Sequence, residues 1–223
     1  MGMAGKNCVA LAVDKRYASG SQMVVTAPRR VLTVHSKLLV GLVGLDGDVQ
    51  TFAQEVMTHV LSKANRESGG LAFIVDSSHR NSSTTSHDCS ARARRQRRIS
   101  PRAMASLMSH VLYSSRVYCE PLLVGLQEID NDQDKPIICS MDMLGAKMQS
   151  SSFACSGAAS KSLYGMAEAM WRPDMEEEEL VRVCGRAFLS ALERDCLSGY
   201  GAVIYLITPK DGIIEYELST RTD

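Results

Sequence analysis

The chain has 223 residues, enough for one domain with a sizeable core, and we expect a single domain over residues 1–223. Apolar residues make up 45% and charged residues 22% of the sequence, which excludes a disordered, collagen-like or coiled-coil chain. Basic and acidic residues each number 25. Because the formal net charge is zero, no global field attracts nucleic acid or an anionic membrane.

Short apolar and β-branched runs predict the strands. Several are apolar at every position, which is typical of strands buried on both faces. The Asp-Gly pair at Asp211 and Gly212 predicts a hairpin between the last two strands. The predicted strands lie at residues 7–13, 23–26, 31–35, 38–45, 122–126, 137–141, 153–155, 202–207 and 213–218.

Stretches with apolar residues at 3.6-residue spacing predict the helices. Ser100 and Pro101 suit the N-cap and the first position of the second helix. Asp174, three residues before Glu177, resembles a capping box ahead of the last helix. The apolar stripes run over residues 49–61, 104–112 and 180–192, and a further helix is predicted over residues 159–170.

The order of these elements predicts the architecture. Helices come in sequential pairs, and groups of doubly buried strands precede, separate and follow them. Two sheets packed together, with a helix pair covering each outer face, bury all of these apolar surfaces. The sequence therefore predicts an α+β fold with four αββα layers.

Residues 63–98 do not fit this pattern. The segment is rich in serine and arginine, with five arginines within residues 92–98. It cannot bury enough apolar surface to offset its ordering entropy, so we predict a disordered surface insertion between two helices. The arginines are also typical of a nucleic-acid patch or a nuclear-import signal, but no aromatic residue is interleaved among them for base stacking. We favour a solvated loop and expect no nucleic-acid partner.

The cysteines indicate a reducing compartment. Seven of them, at positions 8, 89, 119, 139, 155, 184 and 196, form an odd set without a Cys-x-x-Cys pair. This argues against a disulfide framework and a structural zinc site. The five histidines show no metal-ligand spacing, and no glycine-rich string has phosphate-binding spacing. We expect no cofactor and no metal, and the apolar strings are too short for a membrane-spanning helix.

Four strings along the chain now combine: CVALAVDKR, VGLVGLDGDVQ, FACSGAASKSLYG and ERDCLSGYGAVIYLI. Together they resemble the β-subunits of the 20S proteasome. The strings PLLVGL, PIICSMDMLGA and LYGMAEAMWRPDM resemble one non-catalytic type of these subunits in particular. The resemblance covers almost the whole chain apart from residues 63–98. It implies the four-layer αββα sandwich of the N-terminal nucleophile hydrolase class, in agreement with the order of strands and helices.

The resemblance implies a catalytic pattern that this sequence matches only in part. In active subunits the nucleophile is an N-terminal threonine about sixteen residues before the aspartate matched by Asp14. Only 13 residues precede Asp14 here, so the nucleophile position falls outside this sequence. The pattern also has a lysine where this chain has Arg30. Arginine keeps its proton at physiological pH and cannot exchange it as lysine does, which predicts an inactive site.

Four further residues match supporting positions of that pattern: Gly44, Ser156, Asp195 and Ser198. The resemblance implies that the N–H of Gly44 forms the oxyanion hole and that the others form a polar cluster. A structural interpretation is that Gly44 permits close chain approach, while Asp195 and Ser198 cap or bridge the end of the last long helix. We favour this interpretation and predict no catalytic residue, with these four, Asp14 and Arg30 as vestigial counterparts.

The resemblance thus implies a non-catalytic structural β-subunit of the proteasome core, which encloses the chamber for ubiquitin-dependent and other intracellular protein degradation. Its implied partners are other β-subunits of the same ring, the α-ring and the opposite β-ring, in a hetero-oligomer of about 28 subunits, in cytoplasm and nucleus.

Two alternatives stay open: an active threonine peptidase whose N-terminus is missing from this chain, and a nucleic-acid-binding protein. Residues 171–175 and 216–223 are predicted contacts with neighbours.

Overall fold

The computed structural model describes residues 1–19, 22–26, 30–67, 98–128 and 134–220. In chain order, the elements are β1 (Gly2–Ala4), β2 (Val9–Asp14), β3 (Arg16–Ser19), β4 (Gln22–Thr26), β5 (Val31–His35), β6 (Leu38–Gly41), α1 (Asp46–Glu67), α2 (Pro101–Ser115), β7 (Leu122–Gln127), β8 (Lys135–Met141), β9 (Lys147–Ser150), β10 (Phe153–Ala154), α3 (Ser160–Met170), α4 (Glu177–Leu192), β11 (Ala202–Thr208) and β12 (Gly212–Leu218).

Two five-stranded antiparallel sheets form the centre of the fold. The first has the order β10-β1-β2-β11-β12, and the second has the order β5-β6-β7-β8-β9. Strands β3 and β4 pair separately as a hairpin. The β11–β12 hairpin closes at Thr208 opposite Gly212, where Gly212 adopts φ +74° and the Asp211 N–H donates to Thr208 Oγ1 at 3.0 Å. This confirms the hairpin predicted from the Asp-Gly pair.

Three layers of buried side chains hold the sheets and helices together. Between the sheets, β2 contributes Leu11, β6 contributes Leu39 and β8 contributes Ile138, all fully buried. The outer face of the first sheet packs against α3 and α4 through residues such as Phe188. The outer face of the second packs against α1 and α2 through residues such as Phe52. These layers confirm the predicted αββα sandwich.

The helix ends follow local chemistry in one case and depart from the prediction in another. Ser100 caps α2, because its Oγ accepts a hydrogen bond from the Ala103 N–H at 3.3 Å, and Pro101 occupies the first turn. The predicted capping box before α4 is wrong. Glu176 is the N-cap, and its side chain makes no capping hydrogen bond. Asp174 instead adopts φ +58° in the preceding turn.

Some predicted boundaries shift. Strand β6 ends at Gly41 rather than at residue 45, and β1, β3 and β9 were not predicted at all. Residues 63–67, placed in the insertion on sequence grounds, continue α1. The remainder of that predicted insertion lies outside the described residues, apart from Arg98.

Segment 171–175, predicted to contact neighbouring subunits, is only partly exposed on the surface of the chain. Met175 is buried, and the half-buried Trp171 donates from Nε1 to the Ala4 carbonyl at 2.9 Å. Residues 172–174 are exposed. At the other predicted segment, Tyr216 is exposed, and residues 221–223 lie outside the described part of the chain.

All six described cysteines are free thiols, and five of them are buried. Burial raises the pKa of Cys8, Cys119 and Cys184 to about 12. A thiol that keeps its proton is a poor nucleophile, so these side chains act as small apolar packing groups.

Candidate functional site

A pocket of about 270 Å³ opens beside the end of β2. Its apolar lining comes from both sheets and from α3 and α4. Its polar lining includes Asp14, Arg16, Arg30, Ser156 and Ser198. Four of the six residues singled out from the sequence therefore lie at one pocket. Gly44 and Asp195 do not line it.

Asp14 and Arg30 form the central contact of this pocket. Arg30 donates from Nη1 to Asp14 Oδ1 and from Nη2 to the backbone carbonyl of Arg16. The Asp14 side chain is 13% exposed and the Arg30 side chain is 27% exposed. Burial raises the pKa of the Asp14 carboxyl, and the Arg30 guanidinium and the Gly199 N–H offset part of that rise. The pair ties the last residue of β2 to the residue before β5, and thus joins the two sheets.

Arg16 was missed by sequence reasoning, although it ends the string CVALAVDKR. It is 8% exposed and donates from Nη1 to the backbone carbonyl of Cys196. Its Nε is buried and has no hydrogen-bond partner within the described residues. This arginine connects the start of β3 to the turn after α4. An arginine so soon after a buried strand was the available signal.

The hydroxyls of the two serines at the pocket form hydrogen bonds with Glu120 and with Asp195. Ser156 Oγ lies 3.1 Å from the carbonyl of Glu120 and 3.4 Å from its Oε2. Ser198 Oγ donates to Asp195 Oδ2 at 2.6 Å, and the Leu197 N–H donates to Asp195 Oδ1 at 3.1 Å. Asp195 and Ser198 thus form a local turn after α4.

Gly44 lies where two chain segments meet. It forms an isolated antiparallel bridge with Cys119 and adopts φ +151°. A Cβ at this position would lie 2.2 Å from the Tyr118 carbonyl oxygen, far inside any tolerated contact. The glycine is therefore required for close chain approach.

The described side chains that line the pocket include few groups able to move a proton at neutral pH. Its described lining contains no histidine, lysine or cysteine. The guanidiniums of Arg16 and Arg30 keep their protons, and the Asp14 carboxylate is engaged by Arg30. No set of three or more His, Cys, Asp or Glu side chains in the described ranges could hold a metal ion. No helix within those ranges has the length and apolar character needed to cross a membrane.

The four-layer αββα sandwich is the architecture of the N-terminal nucleophile hydrolase class. A family model described as "Proteasome subunit" matches residues 1–89 and 84–207 of the chain. The chain therefore belongs to the proteasome subunit family.

Several curated relatives carry one subunit type in their names. "Proteasome subunit beta type-3-A" of Arabidopsis thaliana is 39% identical over 225 aligned residues, which cover 99% of this chain and 94% of the relative. "Proteasome subunit beta type-3" of Picea mariana is 38% identical with the same coverage. The protein of that name from Drosophila melanogaster is 31% identical over 99% of this chain and 94% of its own length. These relatives confirm the type of β-subunit to which the sequence strings pointed.

Proposed function

We propose that this chain is a non-catalytic structural β-subunit of the proteasome core. Family membership and the similarity to β type-3 subunits support this role. The structural observation that supports this role most directly is the pair of hydrogen bonds that Arg30 donates. Its two guanidinium nitrogens are bonded to Asp14 and to the Arg16 carbonyl, at the position where active subunits have a lysine.

Arginine at this position changes the chemistry of the pocket. A lysine can release its proton when its surroundings lower its pKa, whereas a guanidinium does not at any physiological pH. Arg30 also brings a planar fork that spans a carboxylate and a carbonyl, which a single ammonium cannot do in the same geometry. The residue therefore acts as a clamp between the sheets and takes no part in proton transfer.

Strand β1 supports the structural role, because it runs antiparallel to β2 with Gly2 opposite Leu11. The first residues thus lie within the first sheet, where they help to hold its strands together. The alternative of an active threonine peptidase is not favoured, because the pocket contains Arg30 in place of the lysine.

The proposed partners are other β-subunits of the same ring, an α-ring and the opposite β-ring, in cytoplasm and nucleus. In this position the chain forms part of the wall of the proteolytic chamber and keeps its neighbours in register. Stable subunits of large rings gain much of their folding free energy from assembly. We therefore expect the isolated chain to be less stable than the assembled chain.

Affinity purification of the tagged chain from the cells that make it tests both parts of the proposal. The chain should elute with a very large particle that carries other proteasome subunits. When the particle is treated with a covalent inhibitor directed at N-terminal threonines, other β-subunits should be labelled and this chain should not. Elution mainly as a free monomer, or labelling of this chain, would contradict the proposal.

A further inference from the structure

Helix α2 and the loop between β8 and β9 form one continuous exposed surface. Arg102 and Tyr113 share one face of α2, since they are spaced by 11 residues, and Arg116 is the C-cap that directly follows the helix. Ser106 and Ser109 lie on that face between Arg102 and Tyr113. Together with the loop, this face forms the α2–loop surface, which consists of Arg102, Tyr113, Arg116, Leu144 and Lys147.

Two hydrogen bonds lay the loop along this face of α2. Ser109 Oγ donates to the carbonyl oxygen of Gly145 at 2.6 Å. Lys147 Nζ donates to Ser106 Oγ at 3.4 Å. Gly145 adopts φ +83°, and a Cβ there would lie 2.4 Å from the Ser109 carbonyl oxygen. The loop and the helix are therefore in contact at the backbone, and their exposed side chains share one surface.

The loop is held in one conformation by its own hydrogen bonds. Asp142 Oδ1 accepts from the N–H groups of Leu144, at 2.9 Å, and Ala146, at 2.8 Å. The Gly145 N–H donates to the Asp142 carbonyl at 3.0 Å. The Leu144 side chain is nevertheless 62% exposed. A leucine presented on a preorganised loop loses little conformational entropy when a partner covers it.

The α2–loop surface combines two apolar side chains with three cations. Tyr113 is 70% exposed, the largest exposure among the large apolar side chains of the described residues. Arg102, Arg116 and Lys147 are exposed and form no ion pair with any described residue. Tyrosine and arginine are enriched at the centres of protein interfaces. The unpaired cations favour a partner that brings acidic groups.

We propose that the α2–loop surface docks a neighbouring proteasome subunit whose facing surface is acidic and has an apolar recess for Leu144 and Tyr113. The inference rests on the proposed function, because it assumes that the chain is built into a multi-subunit particle. Burial of Leu144 and Tyr113 supplies the affinity of this contact. The acidic rim of the partner selects the neighbour and sets the rate of association.

Incorporation of Leu144→Asp into the particle tests the apolar part of the surface. The tagged variant and the wild type are expressed side by side, and the fraction of each in the large particle is measured. We expect Leu144→Asp to lower incorporation roughly tenfold or more, because a charge then faces an apolar recess. Leu61→Asp is the matched control, since Leu61 is an exposed leucine on α1, 53% accessible. Leu61→Asp should incorporate like the wild type.

The double variant Arg102→Glu, Lys147→Glu tests the charged part. Both side chains are exposed, so circular dichroism of the variant should match that of the wild type. Its incorporation should fall, and it should fall less at high salt, where like-charge repulsion is screened.

The outcomes separate this inference from the proposed function. If the wild-type chain itself stays out of the particle, the proposed function fails and the inference fails with it. If the wild type incorporates and Leu144→Asp incorporates equally well, only the inference fails. Self-association of the purified chain that Leu144→Asp abolishes would show a second copy as the occupant and overturn the proposed partner. Binding of an isolated acidic peptide with no change in incorporation would also overturn it.

Discussion

Arg30 and Asp14 form a partly buried ion pair between the last residue of β2 and the residue before β5. The same guanidinium also bonds the carbonyl of Arg16. One side chain thus bonds a carboxylate at the end of β2 and a backbone oxygen at the start of β3, while its own backbone leads into the second sheet. These contacts make this end of the pocket a structural junction.

Replacement of Arg30 by methionine should destabilise the chain by about 2 kcal/mol, because Asp14 would then keep a carboxylate that is only 13% exposed without its cation. Arg30→Lys restores a charge but not the bond to the Arg16 carbonyl, and should lose about 1 kcal/mol. Chemical denaturation of the purified chain measures both values. Equal stability of Arg30→Met and the wild type would show that the pair does not hold the sheets together.

Gly44→Ala should destabilise the chain by about 3 kcal/mol or more, because the added Cβ would lie 2.2 Å from the Tyr118 carbonyl oxygen at φ +151°. Gly47→Ala, three residues further on, is the matched control. A Cβ at Gly47 meets nothing within 4 Å, and alanine in the first turn of α1 should gain about 0.5 kcal/mol. Thermal melts of the two variants provide the comparison, and a well-tolerated alanine at position 44 would exclude the close-approach explanation.

His35 should make stability fall with acidification below its ordinary pKa of 6.5. The imidazole lies 3.1 Å, through Nε2, from the carbonyl of Ile99 and accepts from the Lys37 N–H at 3.2 Å through Nδ1. Burial lowers its pKa; the nearby Arg98 and Lys37 add to this, while the Ile99 carbonyl and Glu128 oppose it. The folded chain therefore favours the neutral imidazole of His35.

The sign of the effect follows from proton linkage. Above pH 6.5 the imidazole is neutral in both states, and its contribution to stability is fully present. As the pH falls below 6.5, the unfolded chain binds a proton before the folded chain does, so the free energy of unfolding decreases. Thermal midpoints of the wild type and of His35→Gln are measured between pH 7.5 and 5.5. As the pH falls, the midpoint of the wild type should decrease more than the midpoint of the variant. An identical pH dependence of both would contradict it.

Local sequence signals were sufficient for the helices and for the hairpin. The α2 start rests on Ser100 and Pro101, whose effects act within one turn. Strand β9 was missed because its sequence KMQS is polar and mostly exposed at the edge of its sheet, so no alternation marks it. The capping prediction at Asp174 failed because the chain turns there and the helix begins two residues later than the capping-box pattern requires.

The site could be predicted only in outline. The resemblance singled out six residues, and four of them lie at one pocket, whereas Gly44 and Asp195 do not line it. The bond from Arg16 to the Cys196 carbonyl joins residues 180 positions apart, and no local pattern predicts such a contact. Likewise, the rigid presentation of Leu144 depends on Ser109 of another element.

The most direct test of the account is a threonine-directed covalent label applied to the intact particle that contains this chain, followed by mass spectrometry of each subunit. We expect this chain to be present in the particle, other β-subunits to carry the label, and this chain to carry none. A labelled N-terminal threonine on this chain would contradict the central claim that its pocket is a structural junction and not an active site.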